Sequence, residues 1–208
     1  MGATTDITTV VFDFGNVLIT WDMRLLFEDL IDDPADLDRF LSEVWTTERN
    51  EQCDRGRPYD EVIAEIVVEH PQFADVIPEY SPERRWLESI GPPIPGAGQL
   101  VADLEGAGYR LAGLSNFSAE TFPLVRDAHA VFDRFEDIVI SGEHGLTKPD
   151  QAIFELVCTR GGFEPAEAVF IDDSATNTAA AEQLGFSTVT FTDTPSTRHQ
   201  LRDLGVVN

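Results

Sequence analysis

Ile7-Thr8-Thr9-Val10-Val11-Phe12-Asp13-Phe14-Gly15-Asn16-Val17-Leu18 is the stretch on which the reading of the fold turns. Its first half is a short run of β-branched and apolar residues that stops at an acid, and the chain-breaking pair Gly15-Asn16 follows. Such a run reads as a buried strand with a polar residue delivered at its carboxyl end. Four further segments, 110–114, 137–140, 168–171 and 187–191, read the same way, each short, apolar and bounded by turn or polar residues.

Between these strands lie helical patterns. Residues 98–107 carry Leu100, Val101 and Leu104, residues 151–159 carry Ile153, Phe154 and Val157, and residues 178–184 are rich in alanine. Strands alternating with helices predict an α/β fold with a doubly wound, parallel, Rossmann-like sheet. The alternation fails between about Trp21 and Ile90, where amphipathic helical patterns recur without a convincing strand: Leu25-Leu26-Phe27 with Leu30, Leu37 with Phe40, Leu41 and Val44, and Val62-Ile63 with Ile66-Val67. This predicts a core of residues 1–20 and 91–208 carrying an inserted α-helical cap of residues 21–90. The stretch Gly91-Pro92-Pro93-Ile94-Pro95-Gly96, with its fixed φ angles, reads as a stiff hinge back to the sheet.

Composition narrows the function. The chain has 208 residues, 42% of them hydrophobic, enough for an ordinary buried core. Fourteen Lys plus Arg against 38 Asp plus Glu give a formal charge of −24, which repels nucleic acid and anionic lipid, so neither is an expected partner. A phosphorylated ligand would be repelled too, unless its site brings positive charge from a metal, a lysine or helix N-termini. Cys53 and Cys158 lack the spacing of a disulfide framework or a zinc cluster, and His70, His129, His144 and His199 match neither metal spacing nor a nucleophile–base pair. No stretch approaches the ~20 apolar residues of a membrane span, and residues 1–9 do not resemble a secretion signal, so a cytoplasmic location is expected.

In an open parallel sheet, ligands bind outside the carboxyl ends of the strands. The polar residues there are Asp13 after the first strand, Ser115-Asn116 after the second, Lys148-Pro149 before a helix, and Asp172-Asp173-Ser174 with Asn177 after a later strand. Each alone is an ordinary turn or N-cap sequence. Together they supply a carboxylate nucleophile, a hydroxyl, a cation and metal-binding acids.

The phrases Phe12-Asp13-Phe14-Gly15-Asn16-Val17-Leu18, Leu114-Ser115-Asn116, Leu146-Thr147-Lys148-Pro149-Asp150 and Phe170-Ile171-Asp172-Asp173-Ser174 resemble, in that order, the four signature motifs of haloacid-dehalogenase-like hydrolases. They are similar to the subgroup with a helical cap between motifs one and two, and to its bacterial sugar-phosphate phosphatases of the glucose-1-phosphate type. The resemblance implies Mg²⁺-dependent hydrolysis of a small phosphomonoester, with a sugar phosphate as the favoured substrate, through a phosphoaspartate on Asp13. It also implies metal ligation by Asp13, the Gly15 carbonyl and Asp173, with Asp172 adding charge or holding metal-bound water. Lys148 would offset negative charge as a catalytic and phosphate-binding residue, Ser115 and Asn116 would contact phosphate, and Asn177 would brace the last motif.

One position departs from the family's phosphatases. Most have a second Asp two residues after the nucleophile, as general acid and base, and here that residue is Gly15. A positioned acid–base group typically contributes about 10²–10⁴ in rate, so the departure favours a substrate with an easy leaving group, another proton donor, or a slow enzyme. Haloacid dehalogenases, the alternative, also lack this Asp but work without metal and carry Ser-Asn where this chain has Asp172-Asp173. A non-catalytic protein that binds a phosphate ligand or a partner protein and acts as a regulator is a third reading. The loop Glu51-Gln52-Cys53-Asp54-Arg55-Gly56-Arg57-Pro58 is the expected inward edge of the cap, with Arg55 as a substrate-binding candidate and Trp45 and Asn50 as weaker companions.

Overall fold

A computed structural model describes residues 6–206; residues 1–5 of the expected core and its last two lie outside it. The chain opens with β1 (Thr9–Phe12) and a short β2 (Ile19–Trp21), then runs through α1 (Arg24–Phe27), α2 (Pro34–Arg39), α3 (Thr47–Asp54) and α4 (Tyr59–Glu69) before β3 (Ile90–Pro93). The regular alternation follows: α5 (Ala97–Gly106), β4 (Arg110–Ser115), α6 (Phe122–Ala128), β5 (Asp137–Ile140), α7 (Ser141–His144), α8 (Gln151–Gly161), β6 (Ala168–Asp172), α9 (Ala175–Gln183), β7 (Ser187–Thr190) and α10 (Thr194–Asp203). No described helix is long and apolar enough to cross a membrane.

Five strands form one parallel sheet in the order β5-β4-β1-β6-β7. This is the doubly wound architecture expected from the sequence, and every strand read as buried is in it. Side chains alternate across the pleat as a period of two requires. Val10 and Phe12 of β1 join the apolar cluster that takes in Leu100, Val101 and Leu104 of α5. Val11 points the other way, into the cluster holding Ile153, Phe154 and Val157 of α8. Chain order reverses at β1, with β4 on one side and β6 on the other, so the carboxyl ends of these three strands border a crevice at the switch point.

The proline-rich stretch read as a hinge loop is in part a strand. Ile90–Pro93 pairs antiparallel with Ile19–Trp21, Pro93 standing opposite Ile19. A two-stranded ribbon has only outer edges, so a residue without an N–H is tolerated there. Sequence reading missed it because three or four residues with two prolines carry no strand signal of their own. Bonds from the Asp22 N–H to the Ser89 carbonyl and from the Ile94 N–H to the Leu18 carbonyl, both 2.9 Å, continue the pairing, so the chain leaves and rejoins the sheet at one place. Between the two strands the described structure is helical, built on an aromatic core: Trp45 is stacked on Tyr59 and edge-on to Tyr80, and Phe27 lies against Phe40.

Candidate active site

β1, at the centre of the sheet, ends at Phe12, and the next residue, Asp13, puts its carboxylate in the crevice. The Asp13 N–H donates to the Ile171 carbonyl at 2.9 Å, which fixes the residue against the end of β6. The chain then turns sharply: Asn16 adopts φ 56°, a left-handed conformation that Asn tolerates, and its side-chain oxygen accepts from the Trp21 N–H at 3.2 Å.

Three distant segments meet Asp13. Lys148 Nζ lies 2.9 Å from Asp13 Oδ1 and donates to Asp172 Oδ2 at 2.6 Å, with both Lys148 and Asp172 side chains sealed from solvent. The Ser115 hydroxyl donates to the same Asp13 Oδ1 at 2.7 Å, while Oδ2 receives no such bond among the described residues. Asp172 is held by more donors, the Ser174 N–H at 2.8 Å and the Asn177 amide at 3.0 and 3.1 Å. Asn177 thus braces the loop in the way expected of it. The lysine is held through its backbone, since the Asn116 amide donates to the Lys148 carbonyl at 2.9 Å and accepts from the Lys148 N–H at 2.8 Å. Asn116, expected to contact phosphate, therefore uses a donor and its acceptor to place the cation.

The charges explain the ionisation. Burial pushes the Asp13 carboxyl up to about 6, Asp172 adding to the rise while Lys148 and Ser115 oppose it. Burial alone would lower Lys148, but the two carboxylates outweigh it and hold the ammonium above its ordinary value. Asp173 is raised by burial and by Asp172, although it is the exposed member of the group. Asp13, Asp172 and Asp173 bring carboxylate oxygens within 4.8 Å of one another. Three carboxylates against one ammonium leave two negative charges, and all the donors are hard oxygens, which is the chemistry of a site for Mg²⁺ rather than for a thiolate- or imidazole-bound metal.

A small cavity of about 80 Å³ opens beside this cluster, lined by Gly15, Trp21, Asn50, Asp54, Trp86, Asn116 and Phe117. Asp54 and Asn50 come from α3, and Trp86 from a short helical turn before β3. The docking of α3 on the core depends on close backbone approach. A Cβ at Gly56, whose φ is 92°, would lie 2.8 Å from the Gly142 carbonyl oxygen, and one at Gly142 would lie 2.6 Å from the Ala119 nitrogen. Ser141 Oγ bridges the two sides, donating to the Asp54 carbonyl at 2.5 Å and accepting from the Phe117 N–H at 2.9 Å.

The structure thus brings together Asp13, Ser115, Asn116, Lys148, Asp172 and Asp173. Arg55 stands apart: half-exposed and outside the cavity lining, its guanidinium lies 3.6 Å from Asp150 on the core. Trp45 is wholly buried in the aromatic core of the helical segment. Asp54, next in sequence to the arginine singled out above, is the side chain that faces inward. The gap at position 15 is legible in the sequence, but nothing there separates Asp54 from the other acidic residues, 38 in all.

Comparison with known proteins gives consistent results. A family model described as "Hydrolase: haloacid dehalogenase-like hydrolase" matches residues 7–185. The sesquiterpene phosphatase astK of Aspergillus oryzae is 27% identical over 96% of this chain and 97% of its own length. Among solved structures, a HAD family enzyme of Bacteroides thetaiotaomicron in its magnesium complex superposes with a TM-score of 0.72 at 24% identity, covering 94% of this chain and 98% of that one. The same enzyme has been solved with magnesium and inorganic phosphate. The L-2-haloacid dehalogenase of Xanthobacter autotrophicus, with chloropropionic acid covalently bound, superposes with a TM-score of 0.64 at 19% identity, covering 97% of this chain and 85% of that one. At these identities, the solved structures speak for the fold.

Proposed function

The chain belongs to the haloacid dehalogenase-like hydrolases, and from that premise we propose that it is a phosphatase, hydrolysing small phosphomonoesters through a phosphoaspartate on Asp13. The observation that carries this reading is the pinning of Lys148 between Asp13 and Asp172, with Asp173 alongside. Such an excess of carboxylate repels an anionic haloacid, whereas with a divalent cation it suits a phosphoryl group. Asp13, Asp173 and the Gly15 carbonyl are the proposed ligands, and bound Mg²⁺ would supply the positive charge that lets a carboxylate approach a phosphate dianion.

The chain's own residues supply the rest. Ser115 and Lys148 hold Oδ1 of Asp13 and so fix the direction in which Oδ2 points. Lys148, kept protonated by its two partners, stabilises charge that builds on the phosphoryl oxygens. Asp172 holds Lys148 in place and adds charge close to the metal position, with Asn177 fixing its plane. Residues 21–90 serve as the cap, excluding water during transfer and lining the space for the leaving group with Trp21 and Trp86. Flat aromatic faces pack against either a hydrocarbon chain or the C–H face of a sugar. The full-length similarity to a sesquiterpene phosphatase therefore puts prenyl phosphates beside sugar phosphates as candidate substrates.

The test is phosphate release from p-nitrophenyl, sugar and prenyl phosphates, with Mg²⁺ and with a chelator, for the wild type and Asp13→Asn. Release that requires both the metal and Asp13 is the expected result. Chloride release from 2-haloacids without Mg²⁺ would replace this reading with the dehalogenase one.

A further inference from the structure

Gly15 occupies the position where most phosphatases of this family place their proton donor, and a Cβ there would meet nothing within 4 Å. The space is open, and it belongs to the cavity beside Asp13. Among the residues lining that cavity, which are Gly15, Trp21, Asn50, Asp54, Trp86, Asn116 and Phe117, Asp54 alone has a side chain that exchanges a proton near neutral pH. It comes from the helical segment, as the last residue of α3.

We propose that Asp54, from the helical segment, is the general acid and base that replaces the missing carboxyl at position 15. The proposal rests on the phosphatase reading above and names a catalytic residue for it. In the first half-reaction, Asp13 Oδ2 forms a bond to phosphorus as the phosphorus–oxygen bond of the ester breaks. The electron pair of that bond passes to the leaving oxygen, which takes the Asp54 proton and departs as an alcohol. In the second, a water oxygen bonds to phosphorus and gives a proton to the Asp54 carboxylate. The bond to Asp13 breaks with its pair returning to the carboxylate, inorganic phosphate leaves, and Asp54 is protonated again for the next cycle.

The surroundings of Asp54 suit a proton donor. Its Oδ2 accepts from the Asn50 amide at 3.0 Å. Asn50 is fixed in turn by the Tyr80 hydroxyl, which donates to its Oδ1 at 3.2 Å and accepts from Trp21 Nε1 at 3.2 Å. The backbone is tied to the core through Ser141, so the carboxyl is positioned by both sides of the crevice. Burial pushes the carboxyl up to about 7, with Glu51 and Asp13 adding to the rise, so at neutral pH a large fraction carries the proton it must give. The other acids of the site are otherwise engaged: Asp172 by Lys148 and Asn177, and Asp173 in the carboxylate cluster.

The isosteric variant Asp54→Asn, checked for folding by its unfolding midpoint, separates the two roles. p-Nitrophenolate leaves without protonation, so p-nitrophenyl phosphate and Mg²⁺ should give a burst of one equivalent per enzyme. Turnover after the burst should be slowed about 10²–10⁴-fold because the water has lost its base. A simple alkyl phosphate should show no burst and a comparable or larger loss. Adding Gly15→Asp to Asp54→Asn should restore turnover of the alkyl phosphate by at least about tenfold, because a carboxyl fits that open space. Equal slowing of both substrates without a burst would overturn the role of Asp54 while leaving the phosphatase reading intact. Failure of the wild type to release phosphate from either substrate would overturn that reading itself.

Discussion

Asp13, at the end of β1, and Asp54, in the cavity beside it, sit in different electrostatic settings. Asp13, on the sheet side, has a buried ammonium 2.9 Å away and a hydroxyl donor on the same oxygen. Asp54, on the helical side, accepts from the Asn50 amide and lines a cavity with Trp21, Trp86 and Phe117, and the charges that weigh most on its ionisation are the carboxylates of Glu51 and Asp13. Burial raises both, yet Lys148 restrains Asp13, which stops at about 6 while Asp54 reaches about 7. In the proposed reaction the same side chain would serve two tasks, the one beside Lys148 as nucleophile and the one away from it as proton donor.

The largest expected effect comes from removing what distinguishes the two walls. Lys148→Met deletes the ammonium and leaves Asp13 and Asp172 buried without a counter-charge. Breaking a buried pair in this way costs on the order of 3–5 kcal/mol, and turnover should be abolished. Urea unfolding at neutral pH measures the loss, and adding Asp172→Asn should recover part of it. A stability change below about 1 kcal/mol, the size of an exposed pair, would mean that Lys148 is not the charge that sets Asp13 apart.

Asp54→Asn sharpens the comparison from the other side. Its folded-state value is raised above that of an unfolded carboxyl, so Asp54 favours the fold at low pH and this contribution disappears as pH rises through about 7. The variant, neutral at every pH, should therefore gain on the wild type between pH 5 and pH 8, by a few degrees in Tm, while losing activity. Tm curves that stay parallel across that range would show that the carboxyl is not held in its neutral form.

The smallest effect is expected at Arg55, outside both walls. Its contact with Asp150 at 3.6 Å joins two half-exposed groups, so Arg55→Ala should change stability by less than about 1 kcal/mol and leave KM for a phosphomonoester nearly unchanged. A tenfold rise in KM would return this residue to the substrate, as the sequence first indicated.

The sheet and one wall of the crevice were legible in the sequence because each of their parts announces itself locally. A buried parallel strand must be short and apolar, and the polar residue that follows it must lie at the carboxyl edge. Asp13, Ser115, Asp172 and Asp173 were placed by that rule, and Lys148 by its position at the start of a helix. The ribbon of β2 and β3 was not legible, since Ile19–Trp21 and the proline-bearing Ile90–Pro93 are strands only because each has the other as partner. Nor was the opposite wall. Asp54 lies in an exposed-looking run of charges, and no local property separates it from Glu51 or Arg55.

The sequence by itself determined the five strands of the parallel sheet, the acidic balance and the residues at the carboxyl ends of β1, β4 and β6, because apolar period and chain breakers act within a few residues. Tertiary structure alone decided which residue would close the crevice from above. That choice depends on how near two backbones come at Gly56 and Gly142 and on the Ser141 bridge to the Asp54 carbonyl. These are contacts between residues far apart in the chain, and their energies exist only once both partners are in place.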